Sequence, residues 1–310
     1  MLVTSQSFDN TGEYQRRICR AIDFINAHLA ESPSVTEIAR AAPFSSFHFQ
    51  RLFRAVIGET VAEFTRRLRL ETAARHLRYR RGGEITALAF ELGFSSSQNF
   101  AKAFKKHFGV SASQYREEMR DEAESDSFGL PAFDHGRVKA ALLSNADRSK
   151  AVLLPSVEVR SVPGFRVMYR RHFGAYDEPG VQAAFDELVR WTKPRGFDLL
   201  ERYIGIPWDD SDVTAEDKCR FDACVIVPED VRLDGGMNSQ TIPKGRYAVH
   251  RCEVVANDFD LPWTQLMRDW LPGSGFQPAD GPRFEKYLTD GSRDSEGRWR
   301  MEAFLPVKPL

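Results

Sequence analysis

The sequence predicts a multidomain fold: an all-α N-terminal domain with two helix-turn-helix motifs, then an α+β C-terminal domain of two pseudo-symmetric repeats. Three observations predict it. Apolar residues recur at helical spacing through the first third of the chain, and part of that region recurs about fifty residues later. Past residue 155 the pattern changes to short apolar strands alternating with amphipathic helices, with a second and fainter repeat. At 310 residues the chain can build two independent cores. The expected domains are 1–120 and 156–310, joined by a linker at 121–155.

The first helix is expected to begin near Tyr14, since Ile18, Ile22, Ile25 and Leu29 fall on one face. After Ser32-Pro33-Ser34, Ser34 and Glu37 have the spacing of a capping box for a short helix, Val35–Ala41. That helix breaks at Ala42-Pro43-Phe44, and a new one starts at Ser45 or Ser46. The second copy matches in order. Ile85–Ala89 corresponds to Val35–Ala39, and Gly93-Phe94-Ser95 to Pro43-Phe44-Ser45. Past one inserted residue, Phe100, Ala103, Phe104 and Gly109 correspond to Phe49, Leu52, Phe53 and Gly58. Short helix, tight turn and second helix thus occur twice.

An ordinary helical repeat for protein contacts would share this pattern, so the outward residues decide between the two readings. The segment from Ser45 to Arg54 buries Phe49, Leu52 and Phe53 and turns out Phe47, His48, Gln50, Arg51 and Arg54. Its counterpart buries Phe100, Ala103 and Phe104 and turns out Ser97, Gln98, Asn99, Lys102, Lys105 and Lys106. Gln and Asn can bond adenine, Arg can bond guanine, and an aromatic ring can pack on a thymine methyl. Neither face carries Glu. The joining helix, Val61–Tyr79, holds Arg66, Arg67, Arg69, Arg75 and Arg78 and is about 30 Å long, close to one turn of DNA. Double-stranded DNA, read in the major groove, is the expected partner. Charge agrees: residues 1–120 hold 18 Lys+Arg and 12 Asp+Glu, a balance of +6, while the remainder carries −7.

Segment 18–116 resembles the DNA-binding domain of the AraC/XylS transcription regulators, nearest the MarA, SoxS and Rob branch. The stretches SFHFQRLFRAVIGETVAEFTRRLRL and ALAFELGFSSSQNFAKAFKKHFGVSASQYR carry that resemblance. It implies that Phe47, Gln50 and Arg51 read one groove, with Arg66 as a further DNA contact, and that Ser97, Gln98, Asn99 and Lys102 read the next. Phe47 stands where relatives often have Trp, and Pro43 replaces their turn glycine.

Residues 117–155 combine an acidic cluster with Gly-Leu-Pro and lack periodicity, as a linker would. Strands are expected at Glu158–Arg160, Phe165–Arg171, Cys219–Val227, Gly245–Cys252, Phe284–Leu288 and Met301–Val307. Ser161-Val162-Pro163 parallels Thr241-Ile242-Pro243, and Trp191 precedes Gly196-Phe197 as Trp270 precedes Gly275-Phe276. Repeat junctions of this kind favour a ligand groove. Residues 156–310 resemble a GyrI-like effector-binding domain through RYIGIPWDDSDVT, CRFDACVIVPED, IPKGRYAVHRCE, DGPRFEKYLTD and FLPVK. That resemblance implies an aromatic groove for amphipathic molecules, with an acidic residue for organic cations in multidrug-sensing members. Some stand-alone members instead hydrolyse cyclopropane-containing toxins.

Glu285 is the expected pocket acid, with Tyr287 on its side of the pleat. Trp208, Phe221, Tyr176, Trp263 and Trp270 are the candidate walls. Cys219 and Cys224 lack zinc-site spacing, so neither metal nor other cofactor is expected. There is no Gly-x-Ser-x-Gly elbow, His-Glu-x-x-His motif or P-loop. The N-terminal stretch MLVTSQSFDNTGEY does not read as a signal peptide, no apolar run suits a membrane span, and four scattered cysteines give no disulfide scaffold. The expectation is a cytoplasmic transcription regulator, not an enzyme, that senses a small amphipathic molecule, cationic or aromatic. The alternative is a toxin hydrolase carried on a DNA-binding domain. A ligand could act through domain spacing, oligomerisation or contact with RNA polymerase.

Overall fold

The computed structural model describes residues 6–44, 46–80, 82–125, 157–176, 179–233, 236–255 and 257–310. The stretch 126–155 of the expected linker lies outside them. The N-terminal domain is helical throughout: α1 (Gln6–Ala27), α2 (Val35–Ala41), α3 (Ser46–Ile57), α4 (Val61–Tyr79), α5 (Ile85–Glu91), α6 (Ser97–Phe108) and α7 (Ala112–Ser125). Two boundaries differ from expectation. Helix α1 begins before Tyr14, and α7 runs through Glu117–Ser125, which reads as linker by its charge. Glu, Met, Arg and Ala are all good helix formers, and here that propensity wins.

Both helix starts that bear a Ser/Thr-x-x-Glu signature are capped as the spacing requires. The Glu37 amide donates to Ser34 Oγ at 3.3 Å and the Ser34 amide donates back to Glu37 at 2.8 Å. Thr60 and Glu63 repeat the device at the start of α4. Two phenylalanine-centred cores follow. In one, Phe49 meets Phe53, which meets Phe64 edge-on at 5.4 Å; in the other, Phe94, Phe100 and Phe104 form the matching series. Helix α4 serves both, giving Val61, Phe64 and Leu68 to the first and Leu70, Ala73, Ala74 and Leu77 to the second. Arg69 fixes their relation. Its guanidinium donates to the Leu29 carbonyl, to Ser32 Oγ and to the Gly93 carbonyl, tying the end of α1 to the turn of the second motif.

The C-terminal domain is one sheet with helices. Its first unit is β1 (Val157–Val162), β2 (Phe165–Phe173), α8 (Pro179–Thr192), β3 (Tyr203–Pro207) and β4 (Arg220–Val227). The second is β5 (Asn238–Ile242), β6 (Gly245–Val254), α9 (Leu261–Thr264, continuing as a π-helical turn to Trp270), β7 (Phe276–Pro278), β8 (Phe284–Tyr287) and β9 (Trp299–Pro309). The strand order β1-β6-β9-β8-β3-β4-β2-β5, with β7 on β9, has a pseudo-two-fold axis between β3 and β8. Each unit's first strand pairs with the other unit's second, β1 with β6 and β5 with β2. Strands β3, β5 and β7 are absent from the sequence expectation, because Tyr-Ile-Gly-Ile-Pro and Asn-Ser-Gln-Thr-Ile lack clear alternation.

Alternation in the pleat gives the sheet two different faces. One packs Met168, Val225, Ala248 and Met301 under α8 and the π-helical turn, with Leu188, Trp191 and Leu266. The other presents Val167, Tyr169, Ile204, Cys224 and Phe284, and Cys19 of α1 joins that cluster. The helical domain therefore docks on the sheet.

The two helix-turn-helix turns make a natural comparison. Gly93 sits at φ +76°, and a Cβ there would stand 2.4 Å from the Ala30 carbonyl oxygen. Pro43 stands at the equivalent position of the first motif. Gly93→Ala is expected to lose about 2 kcal/mol or more of stability. Urea unfolding of the variant checks this.

Candidate ligand pocket and nucleic-acid interface

The candidate DNA-contact residues lie on α3, α4 and α6. Gln50, Arg51 and Arg54 on α3 are exposed, as are Gln98, Asn99, Lys102, Lys105 and Lys106 on α6, while Ser97 is half-buried. Phe47 and His48 lie on α3, but their side chains fall outside the described residues. Among the five arginines of α4, Arg66 is exposed and the other four are partly buried. Arg67 is held by Glu59 at 2.6 Å and Glu71 at 3.2 Å, Arg69 bonds backbone carbonyls, and Arg78 meets Asp212 at 3.0 Å. Burial weighs first on Arg75, and neighbouring Arg283 adds to it, lowering its pKa from the usual arginine value. The basic joining helix is thus largely an internal tie, and Arg66 is its outward cation.

The second site lies on the sheet face under α8 and α9, where β3 meets β8 at the pseudo-two-fold. Register places Gly205 opposite Glu285. A Cβ at Gly205 would lie 2.4 Å from Tyr287 Oη and 2.6 Å from Phe221 Cζ, so the missing side chain is what admits both rings. Around Glu285 an aromatic box forms. Phe185 meets Phe221 at 6.0 Å and Tyr287 at 5.7 Å, Tyr176 meets Phe221 at 5.9 Å, and Trp299 meets Tyr287 at 5.7 Å. Trp263 Nε1 donates to Glu285 Oε1 at 3.0 Å, and Tyr287 Oη donates to Oε2 at 2.8 Å.

Glu285 is 4% exposed. Burial raises its pKa to about 7, against the opposing pull of the Trp263 and Tyr287 hydrogen bonds and of Arg283. Arg283 does not pair with it directly. Its guanidinium stacks 5.0 Å over Trp263 and donates to the carbonyls of Pro207 and Asp209. Burial also pushes the Tyr287 phenol well above its ordinary value, as does the neighbouring Glu285 charge.

Of the expected walls, Tyr176, Phe221 and Trp263 gather with Glu285 and Tyr287. Trp270 stacks instead on Phe276 at 6.2 Å, outside the box. Trp208 is on the other face, where Nε1 donates to Asp222 at 2.7 Å under the Arg171 guanidinium. Its position at the end of β3 sets that side. Phe185, Trp299, Arg283 and Gly205 are the box residues that sequence reasoning missed. Arg283 shares the i, i+2 face of Glu285 and Tyr287, and a lone Gly in an apolar strand marks close approach, so both had a usable signal.

Comparison with known proteins agrees with this division. Residues 155–308 match the family described as GyrI-like small molecule binding domain, and residues 38–118 match a helix-turn-helix domain family. A DNA gyrase inhibitor of Escherichia fergusonii is 33% identical over 153 residues, which span 48% of this chain and 93% of that protein. The chain belongs to the GyrI-like family. A DNA gyrase inhibitor of Citrobacter rodentium is 31% identical over 157 residues, 50% of this chain and 94% of the relative. An AraC-type transcriptional regulator structure from Chromobacterium violaceum is similar at 25% identity, covering 34% of this chain and 93% of that one, with a TM-score of 0.33. This GyrI-like protein carries a helix-turn-helix domain ahead of the segment that matches the small molecule binding family. No described helix is long and apolar enough to cross a membrane.

A carboxyl whose folded pKa is about 7, against 4.5 unfolded, costs stability as pH rises. Its contribution is intact below pH 4.5 and lost through pH 7, amounting to about 3 kcal/mol. Glu285→Gln is therefore expected to match wild type near pH 4.5 and to exceed it in unfolding free energy at pH 8. Urea titrations at the two pH values measure the difference.

Proposed function

We propose that this transcription regulator senses a lipophilic organic cation through Glu285. The observation that carries the proposal is a buried carboxyl held by a Trp and a Tyr, with no cation in ion-pair contact among the described residues and four further aromatic rings around it. A flat or tetrahedral cation with aromatic substituents would supply the missing charge and pack on the rings by cation–π contact. Only the ionised carboxyl attracts it. Affinity for tetraphenylphosphonium is expected to fall about tenfold per pH unit below 7, and Glu285→Gln to bind weakly at every pH. Isothermal titration across pH 5.5–8.5 tests this, and pH-independent binding of equal strength in both proteins would sink it.

A carboxyl near pH 7 bonded to a tyrosine also suits a general base. That supports the second reading, hydrolysis of a cyclopropane-bearing electrophile. Product accumulating beyond one equivalent, lost in Glu285→Gln, would decide for it.

The helical domain reads DNA in this proposal with Phe47, Gln50, Arg51 and Arg66 at one groove and Ser97, Gln98, Asn99 and Lys102 at the next. His48 and Arg54 complete the first face, Lys105 and Lys106 the second, and RNA polymerase is the expected protein partner. The protein would act in the cytoplasm, where bacterial DNA lies. Arg51→Ala should cost about 1–3 kcal/mol of specific affinity. Replacing both Lys105 and Lys106 by Gln should reduce the salt slope of binding by about two. Fluorescence anisotropy against NaCl concentration measures both.

A further inference from the structure

The loop between β3 and β4, Trp208–Cys219, touches the ligand box on one side and both halves of the DNA-binding domain on the other. At its far end Lys218 lies over Gly58, just past α3, and Asp217 and Lys218 line a cavity of about 90 Å³ with Val56 and Ile57. In its middle Val213 packs into the second helical core, Asp212 pairs with Arg78, and Asp210 accepts from Tyr79 at 3.4 Å. The loop therefore grips the first motif at the end of α3 and the second at the end of α4.

Asp209 is where this grip meets the pocket. Its backbone is held from the ligand side: Tyr176 Oη accepts from the Asp209 amide at 2.9 Å and lies 2.9 Å from its carbonyl, which also receives Arg283 at 2.8 Å. Tyr176 walls the aromatic box, and Arg283 stacks on the same Trp263 that bonds Glu285. The Asp209 side chain faces the other way. It makes a bidentate pair with Arg220 at 2.6 and 2.8 Å, and Arg220 reaches Asn26 on α1 at 3.2 Å and lies 5.5 Å over Phe64 of α4.

We infer that Asp209 is a positioning residue that couples occupancy of the aromatic box to the spacing of the two reading helices, with the 208–219 loop as the clamp. The exposed faces of α3 and α6 remain uncovered in the docked arrangement, so a ligand need not unmask them. It has only to shift a clamp that already spans both motifs. The cavity beside Val56 and Ile57 leaves room for that shift.

This inference rests on the ligand-sensing reading for its ligand but not for its test. The full chain and its Tyr176→Phe and Asp209→Asn variants are titrated with a duplex selected from a random library by the wild-type chain, with and without tetraphenylphosphonium. Tyr176→Phe keeps the aromatic wall and removes the hydroxyl that bonds the Asp209 backbone and the Arg220 carbonyl. In wild type the probe is expected to change DNA affinity at least fivefold, and DNA to change probe affinity by the same factor. In both variants that ratio should fall below twofold, with the probe affinity of each variant measured directly so that a change in binding is separated from a loss of coupling. A wild-type ratio retained in a folded Tyr176→Phe protein would overturn the coupling. If the probe fails to bind wild type, the cation reading falls and Tyr176→Phe still decides. A threefold or larger change in DNA affinity, with faster amide exchange at the end of α3 and at 208–219, supports the clamp, and unchanged values refute it.

Discussion

A carboxylate taken into a sheet must meet a positive charge or give up its own, and the two faces of this C-terminal domain answer that constraint in opposite ways. On the docking face Asp222 is fully buried and receives a bidentate pair from Arg171 at 2.6 and 2.7 Å, with Trp208 and Gln240 filling its remaining acceptor sites. Beside it burial disfavours the charge of Asp209, yet Arg220, helped by Arg75 and Arg67, holds that carboxyl below the usual range. On the ligand face Glu285 has neutral donors and no contacting cation among the described residues, and its pKa rises. The first arrangement fixes structure. The second leaves a charge unanswered where a ligand can answer it.

The docking seam is polar in consequence. Asp23 of α1 accepts from Arg171 at 2.9 Å and from Tyr169 at 2.5 Å, and burial raises its pKa despite Arg171. Arg171 Nη1 and Asn26 Nδ2 are buried there without a protein hydrogen bond. Each such group costs about 1–3 kcal/mol when left unsatisfied. A seam built this way is specific in register but gains less free energy than an apolar one of the same size. That is the energetic condition for a contact that modest differential binding can shift.

The helical half was the more legible because its signals are local. Capping boxes, i, i+3, i+4 phenylalanines and a duplicated turn all act within a few residues, and α2 and α4 begin and end at the expected positions. What the sequence concealed was partnership across distance. The joining helix reads as uniformly basic, yet its Arg67, Arg69 and Arg78 are bound to Glu59, the Leu29 carbonyl and Asp212. In the sheet, the two-residue period put Tyr287 on the side of Glu285, but spacing alone suits Glu285 to a solvated edge strand, and its choice as pocket acid came from the GyrI-like resemblance. Trp208, counted among the walls, lies on the other face, just past the end of β3. Phe185 came from a helix whose contact with the box no spacing rule reveals. The seam was illegible for the same reason: Asp23 and Arg171 are 148 residues apart.

Charge links the two faces more directly than packing does. Arg283 feels the Glu285 carboxylate without touching it, and its own hydrogen bonds end on the backbone of Pro207 and Asp209. A cation entering the box would stabilise the ionised Glu285 and compete with Arg283 for its field, in a site where low polarisability makes such competition strong. The group that loses attraction is then the one that holds the strand end carrying Asp209. Because the Asp209 carboxylate is committed to Arg220, which reaches Asn26 and Phe64, the proposed coupling needs only one residue of backbone to pass from the ligand side to the helices. In that proposal the sheet would convert a change of charge at one face into a change of position at the other.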